Sequence, residues 1–217
     1  MANPTSTVSE YWDRYANGVT AEADLDAAFG WTQWDGHGPG RELLGDAGSA
    51  LELGCGRGVE VAALTRAGVR AEGIDLSPVQ VQQARERWEP LGARFHQGEV
   101  VEFLRAAEQR WDVIYSVWGA LWFTDPRVLL PLVHDRLAPG GRLVFSHAEP
   151  VPGSPGPQGM YGGGFRGRRV WLHRWAYEPQ VWEELLRGVG FEHARVWVES
   201  APEEGHVGTL IGVAHRS

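Results

Sequence analysis

From residue 50 to residue 149, short apolar runs alternate with amphipathic stretches. ALELG (50–54) is an apolar run closed by a glycine, the pattern of a buried strand. GVEVAALTRA (58–67) reads as a helix that Gly68 stops. VRAEGID (69–75) predicts a second strand. Ser77-Pro78-Val79-Gln80 then opens a helix, with serine as N-cap and proline in the first turn, and Val81, Ala84 and Trp88 fall on one face. ARFHQG (93–98) predicts a third strand and EVVEFLRAAEQ (99–109) a helix. WDVIYSVWG (111–119) has the continuous apolar core of a fourth strand. DPRVLLPLVHDRL (125–137) is helical, bent or restarted at Pro131, and GRLVFSHAE (141–149) is a fifth strand after the turn Ala138-Pro139-Gly140-Gly141.

Strands and helices alternating at this spacing predict βαβ units and a mainly parallel sheet covered on both faces. The rest of the chain has a different texture. Residues 151–176 are rich in Gly, Pro and Arg, 179–190 (PQVWEELLRGVG) form a helix, and ARVWVES and VGTLIGVAHR form a terminal antiparallel pair. No internal repeat or linker divides the chain.

Composition narrows the classes. A chain of 217 residues with 43% apolar and 22% charged positions is a globular domain of ordinary size. A net charge of −8 argues against tight non-specific binding to nucleic acid. No apolar run reaches the ~18 residues of a membrane span. The N-terminal MANPTSTVSEYWDRYA lacks the regions of a signal peptide, so a cytoplasmic protein is expected. The single cysteine, Cys55, excludes an internal disulfide, and the absence of lysine excludes Schiff-base chemistry and a P-loop. No HExxH motif or comparable cluster predicts a metal. His147 and Glu149 form H-x-E, but no P-C-x-x-C follows, so zinc-deaminase chemistry is excluded.

The first strand runs into Glu52-Leu53-Gly54-Cys55-Gly56-Arg57-Gly58. Alternate glycines let the backbone turn sharply and let a ligand lie against the peptide plane, with the next helix directing N–H groups at it. The third glycine comes one residue too early for a dinucleotide fingerprint. Asp75 ends the second strand, where a carboxylate can accept both hydroxyls of a ribose, and Gln97-Gly98-Glu99-Val100 ends the third, where an acid can meet an adenine amino group.

This series resembles the class I S-adenosylmethionine-dependent methyltransferases. ELGCGRG is similar to their E/D-x-G-x-G-x-G loop, GIDLS to the acidic second motif, and HQGEV to the third, with glutamate for the commoner aspartate. WDVIYS and LAPGGRL resemble the fourth motif and the turn before strand five. The resemblance covers residues 50–147. It implies a Rossmann-like α/β fold with a seven-stranded, mostly parallel sheet, helices on both faces and the terminal antiparallel pair. The implied cofactor is S-adenosyl-L-methionine. Glu52, Gly54, Cys55 and Gly56 would surround its methionyl part, with Cys55 as a small filler of the turn, and Asp75 would hold the ribose. Leu76 would pack on adenine, Gly98, Glu99 and Val100 would meet its edge, and Ser116, Val117 and Trp118 would border the sulfonium.

In such a protein, substrate choice resides in what is added to the core (50–217). Residues 1–49 are expected to form a lid or substrate segment, with Tyr15 as a cofactor-covering residue. Its WTQWDGHGPG (31–40) is either a packed loop or part of a binding site, with Trp34 and His37 as test residues. Residues 151–176 are an unusually long connection, expected to be a substrate loop, in which Tyr161, Arg166 and Arg174 suit an anionic or aromatic small molecule. His147, His37 and His173 are the candidate bases, His147 being best placed at the end of strand five. His96, His134, His193, His206 and His215 read as structural.

The expected function is methyl transfer to a small molecule, with oxygen or nitrogen favoured over carbon, in specialised metabolism. The alternatives are methylation of a peptide or protein side chain, and a non-catalytic cofactor-binding module. The tetrad after strand four is Ser116-Val117-Trp118-Gly119 rather than Asn/Asp-Pro-Pro-aromatic, which disfavours nucleic-acid bases as acceptors. The sequence does not set the oligomeric state.

Overall fold

The computed structural model describes residues 8–14, 25, 29–162 and 170–217, with the backbone alone at 160–162. One seven-stranded sheet organises it, built from β1 (Ser49–Leu53), β2 (Arg70–Asp75), β3 (Arg94–Gln97), β4 (Trp111–Val117), β5 (Leu137–Ala148), β8 (Glu192–Glu199) and β9 (Thr209–His215). The strand order is β3-β2-β1-β4-β5-β9-β8. The first five are parallel, and β9 inserts antiparallel between β5 and β8. This is the mostly parallel sheet with a terminal antiparallel pair that the pattern predicts.

The helices are α1 (Val59–Arg66), α2 (Pro78–Trp88), α3 (Val100–Ala106), α4 (Ala120–Phe123), α5 (Pro126–Arg136) and α6 (Pro179–Val189). The cap expected for α2 is present: Ser77 Oγ accepts from Gln80 N at 3.1 Å, and Pro78 occupies the first turn. Pro131 does not interrupt α5. Leu129, Leu130 and Val133 are fully buried, and their burial outweighs the ~3 kcal/mol a mid-helix proline typically costs.

Two apolar clusters fill the two faces of the sheet. One includes Leu51, Ile114, Phe145 and Trp182, and the other Val61, Ala84, Phe95, Tyr115 and Trp31. Within the 31–40 segment, Trp31 is packed into the second of these clusters. Trp31 is inaccessible to solvent, its Nε1 donates to Gly40 O at 2.8 Å, and its ring meets Tyr115 edge-on.

Three local predictions differ from the structure. The third helix ends at Ala106 rather than 109, because Gln109 turns away to bond Glu72 (Nε2 to Oε1, 2.8 Å). The turn 138–141 lies within β5 as an interruption of register, since Trp111 pairs with Leu137 and Val113 with Arg142. Part of the 151–176 loop is regular: β6 (Gly156–Gly162) and β7 (Val170–Ala176) pair antiparallel as a separate two-stranded sheet. Gly159 makes the close pairing possible, because any Cβ there would collide with the Trp171 ring.

Candidate active site

The parallel strands β1 to β4 all end at one edge of the sheet, and a cavity of about 880 Å³ opens there. Its floor is the glycine loop. Gly54, Gly56 and Gly58 hold φ of +78°, +52° and +71°, the left-handed region that favours glycine. Space is the second constraint, since a Cβ at Gly54 would strike the backbone nitrogen of Ala120, and one at Gly58 the Phe95 ring. Gly54 N and Cys55 N both donate to Ile74 O (2.8 and 3.0 Å), which ties the loop to β2. Gly58 caps α1, so that helix begins at the cavity.

Acid gathers around this floor. Asp75, only 9% exposed, accepts from Gly56 N through Oδ2 (2.9 Å) and from Ser77 N through Oδ1 (2.8 Å). Each oxygen keeps a second lone pair. Burial raises its pKa against those two N–H bonds, with the charge of Asp13 adding to the rise. Glu52, buried and touched by the Tyr115 hydroxyl at 3.3 Å, is pushed well up by burial first and then by the charge of Glu60. Burial also raises Glu60. Among the described residues lining the cavity, Arg57 is the sole arginine, against the four carboxylates Glu52, Glu60, Asp75 and Glu99. Burial also pushes up the Cys55 thiol, and no nucleophilic role arises for it. Among the described residues no His/Cys/Asp/Glu group is arranged to hold a metal.

The opposite wall is aromatic: Trp12, Trp118, Phe123 and Trp171 line it, with His173 beside them. Trp12 belongs to the helical stretch 8–14, which docks through Asp13 Oδ1 accepting from Ser77 Oγ (2.5 Å) and Ser9 Oγ donating to Leu76 O (3.2 Å). Its ring packs edge-on against Phe123 at 5.0 Å. Trp118 adopts φ +50° and donates from Nε1 to Trp31 O at 3.0 Å.

The cavity brings together Glu52, Gly54, Cys55, Gly56, Asp75, Leu76, Gly98, Glu99, Val100, Val117, Trp118 and His173 of the residues the sequence singled out. Glu99 also caps α3, accepting from Glu102 N at 3.0 Å. Ser116 lies one layer below. Its Oγ donates to Leu53 O (2.8 Å) and accepts from Leu121 N (3.2 Å), bracing the loop and α4. Tyr15 and Arg166, and the side chain of Tyr161, fall outside the described residues.

Other candidates stand apart from the cavity lining. His37 bonds Ser200 O at 2.7 Å, and Trp34 packs on His206 at 5.2 Å. Arg174 donates to Gln158 Oε1 (2.8 Å) and stacks over Trp122 at 5.3 Å. His147 is fully buried between Trp122, Phe145 and Trp182. Its Nδ1 bonds the Ala148 carbonyl at 2.7 Å, its Nε2 has no hydrogen-bond partner among the described residues, and burial lowers its pKa to about 4.

Sequence reasoning left out the α4 turn (Gly119, Ala120, Phe123, Thr124), Glu60 and Gln80, all of which line the cavity. The run Trp118-Gly119-Ala120-Leu121-Trp122-Phe123, three aromatics directly after a strand end, was the available signal for the first group. Glu60 is the acid of the first turn of α1, so its place followed from where that helix begins.

Residues 50–141 match a family model described as a methyltransferase domain. A trans-aconitate 2-methyltransferase of Paracidovorax citrulli is 33% identical over 107 residues, which cover 48% of this chain and 40% of that protein. A ubiquinone biosynthesis O-methyltransferase of Xylella fastidiosa is 30% identical over 159 residues, covering 64% of each. The matches thus span between 40% and 64% of the length of these relatives. Among solved structures, the 1,6-didemethyltoxoflavin-N1-methyltransferase of Burkholderia thailandensis superposes with a TM-score of 0.64 at 22% identity, over 100% of this chain and 92% of that one. The CcbJ methyltransferase of Streptomyces caelestis gives 0.64 at 17% identity, over 100% and 99%. Residues 50–141 are thus similar to a methyltransferase domain, in a chain that carries the Rossmann-like fold of the methyltransferases it superposes on.

Proposed function

We propose that the protein transfers a methyl group from S-adenosylmethionine to a small aromatic acceptor through oxygen or nitrogen, in specialised metabolism. The observation that carries this reading is a single cavity with two unlike walls, a carboxylate-rich glycine cradle and an aromatic face. The cradle fits the cofactor on its own chemistry. Three buried or half-buried carboxylates with raised pKa suit a ligand bearing a sulfonium and an ammonium, and a loop with no room for a Cβ suits one that lies on the backbone.

When bound, the cofactor supplies an electrophilic methyl group with a good leaving group, which leaves the protein to align the acceptor, exclude water and take its proton. Gly54 to Gly58 would hold the methionyl part, Asp75 the ribose, and Glu99 and Val100 the base. Residues 1–49 and 151–176 would supply the acceptor's side, Trp12 from the first and Trp171 and His173 from the second. Trp118 and Trp171 would pack on the acceptor's ring. His173 is the one of the three candidate histidines on the lining, and we assign it the proton.

Two further points support an aromatic rather than an anionic acceptor, and a small molecule rather than a macromolecule. Arg174 is engaged by Gln158 and Trp122, away from the lining. The fold-mate of Burkholderia thailandensis is an N1-methyltransferase of 1,6-didemethyltoxoflavin. Calorimetry with S-adenosylhomocysteine, followed by mass spectrometry of a panel of phenols and aromatic amines incubated with S-adenosylmethionine, tests the proposal. Micromolar or tighter binding and a product heavier by one methylene are expected. Absence of cofactor binding would overturn it.

A further inference from the structure

The sheet carries a second recess at its other end, where the strands begin. It measures about 270 Å³, and Ser49, Arg70, Glu72, Arg94, Gln109 and Arg110 contribute to its lining. Strand register builds it. Parallel pairing sets Ser49 opposite Arg70 and Glu72 opposite Arg94, and residues two apart on a strand share a face. Arg70, Glu72 and Arg94 therefore stand on one face of the sheet edge. Because α3 stops at Ala106, residues 107–110 return beneath that edge and deliver Gln109 and Arg110 to it.

The charges there do not balance. Glu72 is the one carboxylate of the lining, and both its oxygens are engaged: Oε2 by His96 Nε2 and Oε1 by Gln109 Nε2, each at 2.8 Å. Nearby, Asp112 Oδ2 takes Gly48 N, Ser49 N and Ser49 Oγ at 2.8–3.0 Å, so it is committed to the turn before β1. Arg70 and Arg110 form no side-chain hydrogen bond or ion pair with the described residues, and Arg94 has only the through-space attraction of Glu72, which is already engaged by His96 and Gln109. Three guanidinium groups thus border one small recess in a chain of net charge −8. Their mutual repulsion is a cost that an anion would remove, and the planar fork of arginine matches the oxygens of phosphate and carboxylate.

We infer that this recess binds a compact, multiply charged oxyanion, such as a phosphate group or a small polycarboxylate. It is a site apart from the methyl-transfer cavity. Arg70 opens β2 and Asp75 closes it, which at ~3.3 Å per residue separates the two by roughly 16 Å.

The test compares the wild-type protein with an Arg70→Ala/Arg94→Ala variant, titrated with inorganic phosphate and separately with citrate at constant ionic strength. The readouts are calorimetry and thermal unfolding. Saturable binding of at least one anion with a millimolar or lower dissociation constant is expected, weakened at least tenfold in the variant, while binding of S-adenosylhomocysteine changes less than twofold. The stronger of the two anions names the ligand class. The same stabilisation by phosphate in both proteins would be the general effect of an excluded salt and would overturn the inference, as would no saturable binding of either anion. If the double variant does not fold, Arg94→Gln keeps the stem and a polar end. Anion binding should then weaken at least threefold, and unchanged binding would remove the site.

Discussion

Asp75 Oδ2 and the backbone N–H of Gly56 meet at 2.9 Å, so one carboxylate joins the end of β2 to the middle of the glycine loop. With Ser77 N on the other oxygen, Asp75 shapes the floor of the cavity as well as offering lone pairs to a ligand. Asp75→Ala is expected to raise the dissociation constant of S-adenosylhomocysteine at least tenfold by calorimetry. Stability should move far less, because the two lost charge-assisted bonds, ~1.5–3 kcal/mol each, are offset by relief of carboxylate burial. Unchanged affinity would remove Asp75 from the site.

Gly54→Ala asks for two impossible things at once, a side chain at φ +78° and room where Ala120 N already lies. A loss of ~2 kcal/mol or more in a urea titration is expected, together with loss of cofactor binding. Wild-type stability would mean that α4 can shift to accommodate the methyl.

His147 makes stability depend on pH. Its folded pKa of about 4 lies below the ordinary value of 6.5, lowered by burial first and then by the Arg174 charge, against the bond to Ala148 O. Between those two values the unfolded chain binds the proton and the native protein does not, so stability rises with pH. Acidification from pH 6.5 to 4 should therefore cost about 3 kcal/mol from this residue alone. In His147→Phe the loss of unfolding free energy over that window should shrink. A profile identical to wild type would show that other groups dominate.

His173 and Trp171 separate catalysis from binding. Trp171 Nε1 donates to His173 Nε2 at 3.2 Å, so the indole covers the lone pair that would take a proton. His173→Ala should lower kcat at least tenfold and leave the affinity for S-adenosylhomocysteine within twofold. Trp171→Phe keeps an aromatic surface and uncovers Nε2, so kcat should hold or rise. Full turnover in His173→Ala would exclude it as the base.

What could be read from the sequence was local or periodic. The strand ends that carry Glu52, Asp75 and Glu99, the Ser77 cap and the terminal strand pair follow from patterns within a dozen residues, and backbone chemistry leaves them few alternatives. What could not be read was set by distant partners. His147 sits at a strand end as expected, but helix α6 closes over it with Trp182, and only the packed chain shows that. His37 and Trp34 share a loop with Trp31, yet the loop is held toward Ser200 and His206 rather than toward the cavity. Helix α3 is shorter than its pattern because one side-chain bond, Gln109 to Glu72, competes with the helix end. The pairing of β6 with β7 is hidden among glycines and prolines that, taken one by one, signal irregular chain.

The bond from Trp118 to the carbonyl of Trp31 means that one panel of the cavity's aromatic wall is anchored to the buried core. Such a panel works as a template and not as a glove. An acceptor too bulky for it meets the stiffness of the whole cluster around Trp31 and Tyr115, so selection on that side acts by refusal at the threshold. On the proposed function, broadening the range of acceptors should accordingly begin at Trp31, a residue outside the cavity lining.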